Sequence, residues 1–349
     1  MCKSSSRLDA VRRTAFAETS EPTVHFERRK TITKAHPEVK ELCKPEPLTK
    51  YIAFATVAMQ FAIANWAATQ PFWLLFAVAY VVGATAHHSL FLAIHEFSHS
   101  LGSGAVKVNG KTLLSASSAN KLLGIFSNVS ITIPYFVAFQ RYHLLHHSHI
   151  GEEHMDTDIC GRGEAGVLSG PNVSGWRHRL NKLFMATFHL AFYALRPCLT
   201  MSSKLLQLDS WWMFNTSLVI ASDILVYSYL GGARALLYLF LSTALAGSLH
   251  PCAGHFLAEH YVLPEAPAET YSYYGWLNIF SYNVGYHNEH HDFPQVAWTS
   301  LPKLKALVPE VYDTLPQCPS WPGMIYRYVM SDELSAYNRV LRPTSGKVQ

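Results

Sequence analysis

The chain has 349 residues, is 49% hydrophobic and only 15% charged, and carries a formal net charge of +4. A soluble domain carries about 25% charged residues, so the deficit argues against a large apolar soluble enzyme and for one integral membrane domain. No aromatic–basic stripe or nucleic-acid motif accompanies the basic residues, which sets nucleic acid aside as a partner.

Residues 1–50 form a basic segment that includes Arg12, Arg13, Arg28, Arg29 and Lys30, whereas residues 51–100 hold no Lys or Arg and Glu96 as their only acid. Basic residues flank the cytoplasmic side of a span, so 1–50 reads as a cytosolic N-terminal arm and 51–340 as the membrane domain. The first apolar run starts too late for a signal peptide. Cys2 stands where a myristoylation signal needs glycine. None of the six cysteines lies in Cys-x-x-Cys spacing, which suits unpaired thiols in a reducing compartment.

Residues 51–69 and 72–94 are apolar runs separated by Gln70-Pro71. A spanning helix needs about 20 apolar residues, so the two make a hairpin that returns the chain to its starting side with His95 and His99 at the exit. A polar middle region follows, containing Lys107, Lys121, Arg141 and Arg177. Its two short apolar stretches, 125–139 and 183–195, read as interfacial. A second hairpin runs over 211–250 and turns at Gly231-Gly232-Ala233-Arg234. Its second span is short by count, with room to extend through Pro251 toward His260. Asp223 lies in its first span, where an acid marks either function or a structural hydrogen bond. The expected fold is therefore an all-α integral membrane protein, with four transmembrane helices as two hairpins and a histidine-rich cap. An even number of spans puts every histidine cluster on the cytosolic face.

Those clusters are His95-Glu96-Phe97-Ser98-His99, His143-Leu144-Leu145-His146-His147 and His287-Asn288-Glu289-His290-His291. Residues i and i+4 share a helix face, so His95 and His99 can address one site. In each His-x-x-His-His box the first and last histidines do the same, with the middle one beside them. The first box also fits His-Glu-x-x-His, the zinc-protease signature with Glu96 as base. A catalytic zinc takes three protein ligands, which would leave the six histidines of the other two boxes mostly unemployed; two irons use all eight. Iron also supplies redox chemistry with dioxygen, which zinc lacks. Such an oxidant can take hydrogen from the unactivated methylenes of a lipid. Among the other histidines, His87 and His88 suit packing or polar bonding, and His149 and His154 a polar loop. Of His250, His255 and His260, His255 is the favoured extra ligand. Glu96, Asp156, Asp158, Glu289 and Asp292 are candidates to orient imidazoles.

The three boxes resemble those of the membrane fatty-acid desaturase and hydroxylase superfamily, and their flanks those of the sphingolipid Δ4-desaturases. The similar stretches are Asn283-Val284-Gly285-Tyr286 before the third box and Asp292-Phe293-Pro294 after it, Gly254-His255-Phe256-Leu257-Ala258-Glu259-His260-Tyr261, Glu269-Thr270-Tyr271-Ser272-Tyr273-Tyr274-Gly275, Asp156-Thr157-Asp158-Ile159 and His36-Pro37-Glu38-Val39-Lys40. The resemblance covers roughly residues 25–338. It departs at Cys2, where animal members have glycine, and at His149 and residues 151–155. It implies a multi-pass di-iron oxidoreductase of the endoplasmic reticulum, with its active site on the cytosolic side. Its substrate would be dihydroceramide, which gains a trans 4,5 double bond to become ceramide. Dioxygen would be the oxidant, and electrons would come from NADH or NADPH through cytochrome b5 and its reductase. A sphingolipid C4-hydroxylase, or an enzyme doing both reactions, is the alternative. Carried over residue by residue, the ligands are His95, His99, His143, His146, His147, His287, His290 and His291, with His255 as the family's extra histidine.

Overall fold

The structure, a computed structural model, describes residues 13–200 and 207–343; Cys2 and Arg12 lie outside the described residues. The basic segment opens with a two-residue strand, β1 (Ala17–Glu18), and a helix, α1 (Val24–Ala35), capped by the Thr23 side chain. This segment is docked on the protein. Its Ile32 and Val39 share a buried cluster with Phe293, Val296, Leu301, Leu304, Val308 and Tyr312.

The first hairpin is α2 (Leu48–Ala67) and α3 (Phe72–Ser98). Pro71 ends the connection because it lacks the N–H that a continuing helix would need. Residues Ala79–Gly83 of α3 form a single π-helical turn. Such a turn frees a carbonyl from the regular ladder, and Gln60 of α2 fills the gap. Its amide, fully buried, donates to the Gly83 carbonyl at 3.1 Å and accepts from the Tyr238 hydroxyl at 2.9 Å. In an apolar layer every backbone group needs such a partner.

The middle region folds into short helices: α4 (Ala116–Asn128), α5 (Phe136–Ser148), α6 (Arg162–Ser169), α7 (Gly175–Thr187) and α8 (His189–Thr200). An exposed hairpin, β2 (Val106–Val108) with β3 (Lys111–Leu114), precedes them and turns through Asn109 and Gly110 at positive φ. Each stretch expected to be interfacial is broken. Residues 125–139 run from α4 through a turn with Thr132 at positive φ into α5, and residues 183–195 change helix at Phe188. Phe184, Phe188 and Leu195 are exposed.

The second hairpin is α9 (Ser210–Tyr229) and α10 (Gly232–Ala246), turning at Gly231 with φ of 111°. Beyond α10 the chain continues through a 3-10 turn at Pro251–Gly254 into α11 (His255–Ala258). Phe72–Ser98 and Gly232–Ala258 are long and apolar enough to cross a membrane. Their partners α2 and α9 have 20 residues each, about 30 Å of helix. Both carry outward apolar side chains, Phe54, Met59 and Trp66 on α2 and Ile220, Ile224 and Leu225 on α9.

The C-terminal part adds α12 (His287–Asp292), α13 (Leu301–Leu307), α14 (Pro309–Tyr312) and α15 (Trp321–Met330). It ends in β4 (Val340–Leu341), paired in parallel with β1. The main core joins Leu90, Ile94 and Phe97 of α3, Phe136 and Phe139 of α5, and Trp321 and Tyr328 of α15.

Candidate metal centre

The histidine boxes sit where the expected helices end. His95 is in the last turn of α3 and His99 is the residue that caps it. His143, His146 and His147 occupy the last two turns of α5, and α12 begins at His287 and holds the whole third box. These ends converge. The ring nitrogens of His95, His99, His143, His147 and His290 lie within 4.8 Å of one another, as do those of His146, His260 and His291. His287 adjoins the second group, with its Nε2 3.0 Å from that of His260 and its ring 4.4 Å from that of His291.

The boxes are used in opposite senses. In the second box the first and last histidines, His143 and His147, join one group and His146 turns to the other. In the third box the middle histidine, His290, joins the first group, while His287 and His291 face the second. Adjacent residues on a helix point about 100° apart, so one short helix can serve two ions.

The contacts within the groups suit a cation. The Nε2 atoms of His99 and His143, His143 and His147, and His147 and His290 are 3.0, 3.1 and 3.1 Å apart. Burial holds all four imidazoles well below their usual pKa, so they are neutral. His143 presents Nδ1 to Asp158 at 3.2 Å and His146 presents Nδ1 to Asp156 at 2.8 Å. Imidazoles that donate from Nδ1 aim bare lone pairs inward. Two such lone pairs repel unless a proton or a metal cation sits between them. Ligands about 2.1 Å from one ion and at right angles to each other lie about 3 Å apart. Although burial opposes a charged ring, Asp156 and Asp158 raise His146 to about 9, so the second group too favours positive charge. Neutral imidazole suits iron, and the donor sets fit one ion each.

Of the five carboxylates expected to orient imidazoles, Asp156 and Asp158 do so. Glu96 stands 3.6 Å from His95 and accepts from the Trp298 backbone N–H at 3.2 Å. Glu289 accepts from the hydroxyls of Ser272 at 2.8 Å and Tyr274 at 2.6 Å, which fixes α12. Asp292 binds His25 and Arg28 of α1 at 2.7 and 2.6 Å. Sequence reasoning missed Glu259, which holds His255 Nδ1 at 2.7 Å and stands 3.6 Å from His287. It missed His25 as well, whose ring lies 4.9 Å from that of His291.

His255 stands apart from both groups, and His260 occupies the place expected for it. The spacing Gly254–Tyr261 supplied two histidines on one short stretch, and only the tertiary fold chooses between them. His250 meets Thr85 at 3.2 Å. His87 and His88 tie α3 to α10 through Thr243 and the Ala246 carbonyl, at 3.0 and 3.1 Å, which is polar bonding. Asp223 belongs to neither group, and its Oδ1 is enclosed without a partner among the described residues. The single-zinc reading fails on geometry: His95 and His99 share their group with three further histidines, and Glu96 is engaged by backbone and 2% exposed.

Two cavities flank α8. A small one of about 70 Å³ touches His95, His143, His146, His260 and His287. A larger one of about 850 Å³ has an apolar wall that includes Phe184, Phe188, Phe192 and Leu195 and reaches Asp156.

Comparison with known proteins agrees with this geometry. Residues 71–319 match the family model described as fatty acid desaturase, and residues 13–48 match that described as sphingolipid Delta4-desaturase. The chain is 43% identical to the sphingolipid delta(4)-desaturase of Komagataella phaffii over 95% of its own length and 89% of the relative's. It is 40% identical to a relative in Oryza sativa, a sphingolipid delta(4)-desaturase DES1-like protein, over 95% and 93%. The sphingolipid delta(4)-desaturase of Gallus gallus is 38% identical over 93% and 94%.

Proposed function

Because this chain belongs to the sphingolipid Δ4-desaturase family of the fatty acid desaturases, we propose that it introduces the trans 4,5 double bond into the sphinganine chain of dihydroceramide. The observation that carries this reading is the pair of histidine groups beside a small cavity. A bound iron pair would supply dioxygen-dependent removal of hydrogen from an unactivated methylene. His95, His99, His143, His147 and His290 would hold one ion, and His146, His260, His287 and His291 the other. His260 replaces His255 in this assignment. Asp156 and Asp158 keep His146 and His143 in the ligating tautomer. The small cavity beside them, once filled by the lipid chain, would exclude water and place the carbon to be oxidised.

The four long helices form two hairpins across the endoplasmic reticulum membrane, with the histidines on the cytosolic side and a basic N-terminal segment beside them. Electrons come from NADH or NADPH through a separate cytochrome b5 and its reductase. Expression in a host without its own desaturase, followed by mass spectrometry of the sphingoid bases, tests the reaction. A 4,5-alkene is expected. A 4-hydroxyl would mean a C4-hydroxylase, and both products a bifunctional enzyme. Protease protection of tags at either end of the chain tests the topology, with both ends expected on the cytosolic side.

A further inference from the structure

Among the residues lining the small cavity beside the histidine groups, two histidines outside the assigned ligand set each carry a ring nitrogen with no partner among the described residues. Both His189, the first residue of α8, and His255, the first residue of α11, line it. They are 5% and 4% exposed. His189 Nδ1 and His255 Nε2 are enclosed and have no hydrogen-bond partner among the described residues. The rings are held firmly. Phe256 stacks on His189 at 4.7 Å and packs against His255 at 4.0 Å, and Glu259 fixes the far nitrogen of His255 at 2.7 Å. Buried polar atoms without partners cost free energy, so two of them rigidly placed in one cavity point to a polar ligand group.

The substrate supplies one. In a sphinganine chain the carbon next to C4 bears a hydroxyl, so any pose that brings C4 to the metal centre brings that oxygen into the same cavity. About 70 Å³ is room for two or three small groups, given about 30 Å³ for a water. Phe91, Leu92, Leu190 and Val284 give the cavity an apolar side for the chain, while Asp158, Tyr193 and Arg339 line it as well.

Resting on the reading of the substrate given above, we propose that His189 and His255 are specificity-determining residues that bind the 3-hydroxyl of the sphingoid base. A hydroxyl has one proton to donate and lone pairs to accept. It donates to Nε2 of His255, whose Nδ1–H is given to Glu259, and accepts from Nδ1–H of His189. The bond fixes the rotation of the chain about C3–C4, and with it which carbon faces the metal centre.

The test compares a short-chain dihydroceramide with its 3-deoxy analogue on the full-length, iron-loaded enzyme, alongside His189→Phe and His255→Phe. Iron content is checked in each. Phenylalanine keeps the ring packing and removes the polar atom. The wild type should favour the hydroxylated substrate in kcat/KM by roughly 5- to 150-fold, the range for one or two unsatisfied buried groups. Each variant should lose most of that preference, and anaerobic binding affinities should shift in the same sense. Equal loss for both substrates in the variants would overturn the proposal, as would a wild type that does not discriminate. If the phenylalanine variants lose iron, His189→Asn and His255→Asn are read in the same way, with part of the preference expected to survive and an unchanged preference overturning the assignment. A wild type that leaves dihydroceramide untouched would instead overturn the substrate reading itself.

Discussion

His146 and His147 are neighbours in the chain and face different metal groups, the former with His260 and His291, the latter with His99, His143 and His290. The short helix α5 is therefore a partition between two histidine groups, with its last turn shared. His147→Ala and His260→Ala should each abolish desaturation and lower iron per chain, because each removes a member of one group. His255→Asn should keep the wild-type iron content. Metal analysis of the purified variants checks both, and iron loss in His255→Asn would restore that residue as a ligand.

Asp156 accepts from His146 Nδ1–H and from the backbone N–H groups of Gly151 and Asp158, at 2.8, 2.8 and 3.1 Å. It is the better anchored of the two orienting acids. Asp156→Asn and Asp158→Asn should weaken iron binding by about 10- to 100-fold, the usual effect of removing a partner behind a ligating imidazole. Competition with a chelator measures this. The Asp156 variant should be the weaker, and equal affinity to wild type in both would remove them from the site.

Arg28 donates to Asp292 at 2.6 Å and to the Asn288 side-chain oxygen at 3.0 Å, and so clamps α1 onto α12. Asp292 is fully buried there. Arg28→Ala leaves that buried carboxylate without its cation, and breaking such a pair costs about 3 kcal/mol. A lower unfolding temperature in detergent and faster iron loss are expected. Asp292→Asn in the same background should recover part of the loss by removing the stranded charge.

Gly83 lies where the π turn of α3 meets α10. A Cβ there would fall on the Ser242 hydroxyl and 2.9 Å from the Tyr238 hydroxyl. Gly83→Ala should destabilise the protein by about 1–3 kcal/mol through overpacking. Ser242→Ala should relieve part of this, since it removes the atom met first. Thermal inactivation of the single and double variants reads the difference.

Periodicity made the local features legible. The apolar runs marked both hairpins within a few residues, since Gln70-Pro71 and Gly231 punctuate them, and helical spacing placed each box on one helix end. What depends on distant packing was not legible. The π turn at Ala79–Gly83 leaves no mark in hydropathy, because its residues are as apolar as their neighbours. The division of the second and third boxes between two groups depends on how α3, α5 and α12 cross. The choice of His260 over His255 depends on where α11 begins. His25 is 267 residues from Asp292, and nothing local to either predicts their meeting. The basic segment showed its charge but not its role, since Ile32 and Val39 become core only once α13 and α14 are in place.

The pairing of Ala17–Glu18 with Val340–Leu341 has a consequence for how the protein matures. Arg342, just beyond that pair, donates to the Ile150 carbonyl at 2.8 Å and to Glu269 at 2.9 Å. The segments around Ala17 and Arg342 thus close over the loop behind the second box, and α1 closes over the third. These seams join residues far apart in the chain. Contacts of such long sequence separation form slowly. The histidines of the first two boxes are in place earlier, but the enclosure around them is not. The wall behind the second and third boxes is thus completed by segments that lie far from them in the chain.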